Sequence, residues 1–133
     1  AVAPADQVII VTTPEVSAVR DADRIVGLVE AEEQGPATLI INRLNPDMVR
    51  RGEMLSTEDV VELLAIDLLG IIPEDKQVIV ATNQGSPVAL DGKSPSGQAF
   101  RNVAGRLMGQ EIPFMPIKKS DGVLGRLGRL IRG

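Results

Sequence analysis

The chain has no cysteine, histidine, tryptophan or tyrosine, and only two phenylalanines among its 133 residues. Without cysteine there is no disulfide framework and no thiolate chemistry, which fits a cytosolic protein. Without histidine, Ser-His and Cys-His catalysis and the usual zinc sites are excluded. Any chemistry must come from carboxylates, Lys, Arg, hydroxyls and backbone amides. No apolar run is long enough to span a bilayer. The first residues lack the basic-then-apolar pattern of a signal peptide. No internal repeat is present.

What is there reads as one globular domain, 44% hydrophobic and 24% charged. The net charge of −4 hides an asymmetry. Residues 118–133 carry Lys118, Lys119, Arg126, Arg129 and Arg132 against Asp121, a net of +4, so the rest carries −8. An acidic body with a basic end suggests an end that meets an anionic surface, and argues against nucleic-acid binding.

Val8-Ile9-Ile10-Val11, Thr38-Leu39-Ile40-Ile41 and Leu68-Leu69-Gly70-Ile71-Ile72 are short apolar runs of the kind that form strands buried on both faces of a parallel sheet. Between the first two, residues 15–33 have helical spacing, with Val16, Val19, Ile25, Val26 and Val29 recurring. Residues 42–55 predict a loop with at most a short turn of helix. Ser56 and Asp59 then form a capping box that opens a helix to about Ile66. Gln77 to Ala81 is ambiguous between strand and helical turn. Ser94-Pro95 opens a last body helix, which the pattern predicts to pack through Phe100, Val103, Ala104, Leu107 and Met108, and which Gly109 ends.

The order β-α-β-α-β implies parallel strands with right-handed crossovers. The expected fold is α/β: half of a doubly wound parallel sheet cut in the middle, plus a C-terminal amphipathic helix. The expected division is residues 1–109 as half of an α/β domain, 110–121 as a linker stiffened by Pro113 and Pro116, and 122–133 as a membrane-targeting helix.

In that last segment Val123, Leu124, Leu127, Leu130 and Ile131 fall on one helical stripe, with Arg126, Arg129 and Arg132 between them. A helix that docks on its own domain would share this pattern. The terminal position, the preceding prolines and the purely cationic polar face point instead to a helix lying in a membrane interface. Gly125 and Gly128 each cost about 1 kcal/mol of helix propensity relative to Ala. The segment is therefore expected to be disordered in solution and helical on lipid, with weak attachment by one copy and stronger attachment by two.

Four segments together resemble the septum-site-determining ATPases of the MinD family. This family belongs to the deviant P-loop ATPases, with the chromosome-partitioning ParA proteins. The segments are the run from Thr12 to Arg24 (TTPEVSAVRDADR), Met54 to Val60 (MLSTEDV), Gly70 to Asp75 (GIIPED) and Asn83 to Val88 (NQGSPV), in that order. The wording around Val16–Arg24 is cyanobacterial- or plastid-like.

The resemblance implies a P-loop NTPase-like fold with its N-terminal half missing, ATP hydrolysis with Mg2+, an ATP-driven homodimer, recruitment of a MinC-like division inhibitor, and release by a MinE-like activator. It implies a cytoplasmic protein, peripheral on the inner face of the cell membrane, with a plastid as an alternative. The family's Lys-Gly-Gly-x-Gly-Lys-Thr phosphate loop and its Asp-x-Pro-Ala-Gly segment do not occur here. Phosphoryl transfer needs such a loop to cradle phosphates and hold magnesium. Asp91-Gly92-Lys93-Ser94 is the nearest string, without the earlier glycines. The chain is expected to begin just after those motifs and not to hydrolyse ATP alone.

The resemblance places Asn42, Arg43, Pro73, Glu74 and Asp75 at the base side of a nucleotide. On spacing alone Asn42 is a turn residue after a strand, Pro73 a strand terminator, and Glu74 and Asp75 a solvated loop or helix start. Likewise Arg20, Asp21 and Asp23, with Arg51 and Asn83, become candidates for a surface shared by the inhibitor and the activator. On spacing alone the first three belong to a solvated helical face with neighbouring ion pairs. A free-standing membrane adaptor and a ParA-like partitioning ATPase fragment remain as alternatives. A half-domain differs from the adaptor in leaving a sheet edge and faces uncovered.

Overall fold

The computed structural model describes residues 6–33 and 35–114. The membrane-helix candidates Val123, Leu124, Arg126, Leu127, Arg129, Leu130, Ile131 and Arg132 lie outside the described residues.

Three parallel strands, β1 (Val8–Thr12), β2 (Ala37–Leu44) and β3 (Asp67–Pro73), form one sheet in the order β1-β2-β3. Helix α1 (Val16–Ala31) joins the first two strands. Helices α2 (Pro46–Arg50) and α3 (Thr57–Leu64) join the second and third. Helix α4 (Lys76–Asn83), a 3-10 turn (Val88–Leu90) and helix α5 (Pro95–Leu107) follow.

The expected α/β fold is therefore present, with each strand longer by a residue or more than its apolar run. Alternation along β2 splits the core in two. Leu39 and Ile41, both at 0% exposure, join Ile10, Val19, Ala22, Val26, Val60 and Leu64 under α1 and α3. Ile40 points the other way and packs with Leu69, Ile72, Ala99 and Val103 under α5.

Two expectations need correction, and one open reading is resolved. Strand β1 is buried on one face only: Ile10 and Thr12 are covered, while Ile9 is 39% and Val11 58% exposed. Among the described residues, α1 and α3 cover one face of the sheet, and α5 sits over β3, too far along to reach β1.

The ambiguous stretch 77–81 is helical, because the Asp75 carboxylate accepts from the Gln77 N–H and caps the first turn.

Helix α5 packs through Ser96, Gly97, Ala99, Val103 and Arg106, and leaves Phe100, Ala104, Leu107 and Met108 exposed. Small residues face inward because the helix sits very close to its supports. A Cβ on Gly70 would lie 2.3 Å from a Val103 methyl.

The local signals at helix ends hold. Ser56 and Asp59 make a reciprocal capping box, and Ala65 stops α3 with a left-handed φ of 52°. Ser94 caps α5 and Pro95 opens it. No helix among the described residues is long and apolar enough to cross a membrane.

Candidate functional site

Ligands of open parallel sheets bind at the carboxyl ends of the strands. Here β2 ends in Asn42-Arg43-Leu44 and β3 in Pro73, directly beside it, with Leu44 paired to Pro73. The Glu74 N–H donates to the Leu44 carbonyl at 2.9 Å, which holds the two chain ends together past the strands.

Arg43 has a φ of 58°, in the left-handed region that costs a non-glycine residue about 1 kcal/mol or more. The Asn42 carboxamide oxygen accepts from the Arg43 N–H at 3.0 Å and supports that kink. That bond uses one lone pair of the oxygen; a carboxamide has a second lone pair and two N–H donors, so Asn42 can both donate and accept. Beyond the kink the Arg43 guanidinium reaches to 4.0 Å from the Glu74 carboxylate. Both side chains are largely exposed, so this pair contributes about 0–1 kcal/mol. Four of the expected base-side residues, Asn42, Arg43, Pro73 and Glu74, are thus brought together at the carboxyl ends of two adjacent strands.

Asp75 is next in sequence but is committed elsewhere. Its Oδ2 accepts from the Ser94 hydroxyl (2.7 Å), the Ser96 hydroxyl (2.7 Å) and the Ser96 N–H (3.3 Å), and its Oδ1 from the Gln77 N–H (2.9 Å). Burial pushes this carboxyl up, but the hydrogen bonds from Ser96, Gln77 and Ser94 outweigh it and hold the pKa at about 2. Asp75 therefore ties the start of α4 to the start of α5 behind the strand ends. The Ser94 hydroxyl, engaged with Asp75, Ser96 and the Gly97 N–H, is a cap within the Asp91-Gly92-Lys93-Ser94 string.

Two further residues, one at these strand ends and one joined to them through Asp75, escaped the sequence reading. Asn45 caps α2 by accepting from the Asp47 and Met48 N–H groups, and its NH2 donates to Glu74 Oε2 at 3.0 Å. Asn45-Pro46 carried a readable signal, a cap residue before a proline at the first helical position. Ser96, at 0% exposure, carried none, since its partner lies 21 residues away.

The partner-surface candidates divide among elements. Arg20 and Asp23 of α1 line a groove of about 270 Å³ whose walls are Val16, Val19, Leu55 and Leu63. Leu55 is fixed there by its N–H, which donates to the Pro14 carbonyl at 3.0 Å. Asp21 lies outside that lining and pairs with Arg24 at 3.7 Å, both side chains more than three-quarters exposed. Arg51 pairs with Glu53 at 2.9 Å after α2. Asn83 is the exposed last residue of α4 and does not line the groove.

No protein-family profile matches the chain. It is 51% identical to the septum site-determining protein MinD of Synechocystis sp. over 135 residues, which covers 100% of this chain and 51% of that protein. Among solved structures it resembles MinD in the MinC:MinD cell division protein complex of Aquifex aeolicus. The TM-score is 0.81 at 46% identity, over 84% of this chain and 46% of that one. The MinD of Pyrococcus horikoshii complexed with Mg-ADP aligns with a TM-score of 0.66 at 26% identity, over 80% of this chain and 45% of that one. The chain thus spans about half the length of the relatives it matches.

Proposed function

The chain belongs to the MinD family of septum site-determining proteins, and from that premise we propose that it forms part of an ATP-dependent, membrane-associated switch that positions the division septum. In this reading the joined ends of β2 and β3 receive the adenine base. The α1 groove receives a MinC-like inhibitor or a MinE-like activator, and the basic tail meets an anionic membrane surface. ATP-driven homodimerisation would pair two tails and strengthen attachment by avidity. Asn42, Arg43, Pro73 and Glu74 on two adjacent strand ends carry the reading.

The residues present fit the base and not the phosphates. A carboxamide reads a purine edge by donating and accepting at once, and Pro73 supplies an apolar wall. The sequence holds no Gly-rich phosphate loop, since Gly92-Lys93-Ser94 lacks the earlier glycines and its Ser94 hydroxyl is engaged with Asp75, Ser96 and the Gly97 N–H. ATP with Mg2+ would supply the hydrolysable phosphoanhydride, and this chain's part is to orient the base. The uncovered Ile9 and Val11 face of β1 supports a partial sheet over a free-standing adaptor.

The reading is tested by titrating ATP into the 15N-labelled chain. Weak binding, in the millimolar range or about −4 kcal/mol, is expected for contacts limited to the base. Amide shifts should centre on Asn42, Arg43 and Glu74, and Asn42→Ala should weaken them at least fivefold. Shifts spread evenly over the surface, or none at the strand ends, would remove the base site. For the tail, sedimentation with phosphatidylglycerol vesicles should show Arg129→Ala binding about fivefold more weakly, since one basic residue near an anionic leaflet contributes about 1 kcal/mol. Equal binding to neutral and anionic vesicles would count against the membrane assignment.

A further inference from the structure

We propose that Arg106 is a latch that fixes the point at which the chain leaves the α/β body toward its C-terminal tail. The observations lie at the end of α5. Gly109 takes a φ of +90°, its N–H donates to the Arg106 carbonyl, and the Gln110 N–H donates to the Gly105 carbonyl, both at 3.0 Å. This left-handed stop reverses the chain. The returning segment then meets one side chain. Arg106 Nε donates to the Ile112 carbonyl at 3.0 Å and Nη2 to the Pro113 carbonyl at 3.3 Å, while its guanidinium lies 4.0 Å from the centroid of the Phe114 ring.

The third nitrogen anchors the assembly to the sheet. Nη1 donates to the Leu69 carbonyl at 2.9 Å. Leu69 is the residue skipped where the β2–β3 register shifts, since Leu39 pairs with Leu68 and Ile40 with Gly70. A bulged residue has no ladder partner of its own, so the arginine takes up a carbonyl there. One guanidinium thereby joins β3, α5 and residues 112–114. Gly105 makes room for the segment: a Cβ there would lie 2.5 Å from Ile112 Cδ1 and 2.9 Å from Gln110 Oε1.

The chemistry requires arginine. Three carbonyls in different directions and an aromatic face are matched by a planar fork with five N–H donors, which a lysine ammonium does not reproduce. Arg101, five residues earlier, holds a different stretch by donating to the Ala89 and Asp91 carbonyls, and serves as an internal control. A latch at Ile112–Phe114 means that any surface that takes the tail is joined to the body at one place, beside β3. This holds whether or not that surface is lipid, and vesicle sedimentation decides that separately.

Backbone order in the full 133-residue chain tests the latch. The Ile112 and Phe114 amides should show order parameters near the rigid value of about 0.85, falling below about 0.6 in Arg106→Lys, with Val103 unchanged. Arg101→Lys should leave Ile112 and Phe114 rigid. Should Arg106→Lys loosen α5 itself, Phe114→Ala removes the ring without touching the helix and should still lower the order of Ile112. Disorder at Ile112 in the unsubstituted chain, or rigidity retained in Arg106→Lys or in Phe114→Ala, overturns the proposal.

Discussion

Asp75→Ala is expected to destabilise the fold by about 3 kcal/mol, read as a lower urea midpoint by circular dichroism. The substitution removes the acceptor of four hydrogen bonds, from Gln77, Ser94 and twice from Ser96. Loss of a helix cap alone costs about 1 kcal/mol, and a hydrogen bond to a charged group contributes about 1.5–3 kcal/mol. The Ser94 and Ser96 hydroxyls can still pair with each other at 2.8 Å, which limits the loss.

Asp75→Asn separates charge from shape through pH. The Asp75 carboxyl is held at about 2, below its ordinary 3.8. Its ionisation therefore favours the folded state above the ordinary value, and that contribution fades as pH falls through 3.8 toward 2. The stability difference between the unsubstituted chain and Asp75→Asn should be full at pH 5 and much smaller at pH 2. A difference that stays constant over this window would show that the carboxylate charge is not what holds α4 to α5.

Gly97→Ala comes next, also at about 3 kcal/mol, the upper end for forcing one extra carbon into a packed site. Its Cβ would lie 2.5 Å from the Val88 carbonyl oxygen and 2.8 Å from that of Asp91. Both are backbone atoms of the turn on which α5 rests, so the helix start or the turn must move. The Arg101 bonds to the Ala89 and Asp91 carbonyls would be disturbed with it. Gly105→Ala is the contrast. Its Cβ meets the ends of the Ile112 and Gln110 side chains, which can rotate away. Thermal melts followed by circular dichroism should rank Gly97→Ala well below Gly105→Ala. Equal stabilities would mean that the turn at Val88–Leu90 yields without cost.

Much of the architecture was legible in the chain. Apolar β-branched runs marked the three strands, and the Ser56 and Ser94 caps marked two helix starts, because these signals act within a few residues of themselves. The parallel order followed from the alternation of strand and helix. The neighbourhood of Asn42 with Glu74 was reached through family resemblance; composition and spacing alone left both as loop residues.

What required the tertiary structure was every relation across long stretches of chain. Which face of α5 is buried depended on how closely the helix approaches Gly70 and the 3-10 turn, so Ser96 and Gly97 face inward and Phe100 and Met108 do not. Helical periodicity favours large apolar residues inside, and close packing overrode it. The exposed face of β1 was hidden in a run that reads as buried on both sides, because hydrophobicity reports preference and not whether a helix is there to cover it. Local pattern set the strands and the caps at Ser56 and Ser94, and four matching segments pointed to the family. Tertiary contacts decided the Asp75–Ser96 clasp and the Arg106 latch, whose partners lie 21 and 37 residues apart. Hydrogen bonds of that range are set by packing geometry, which no local pattern encodes.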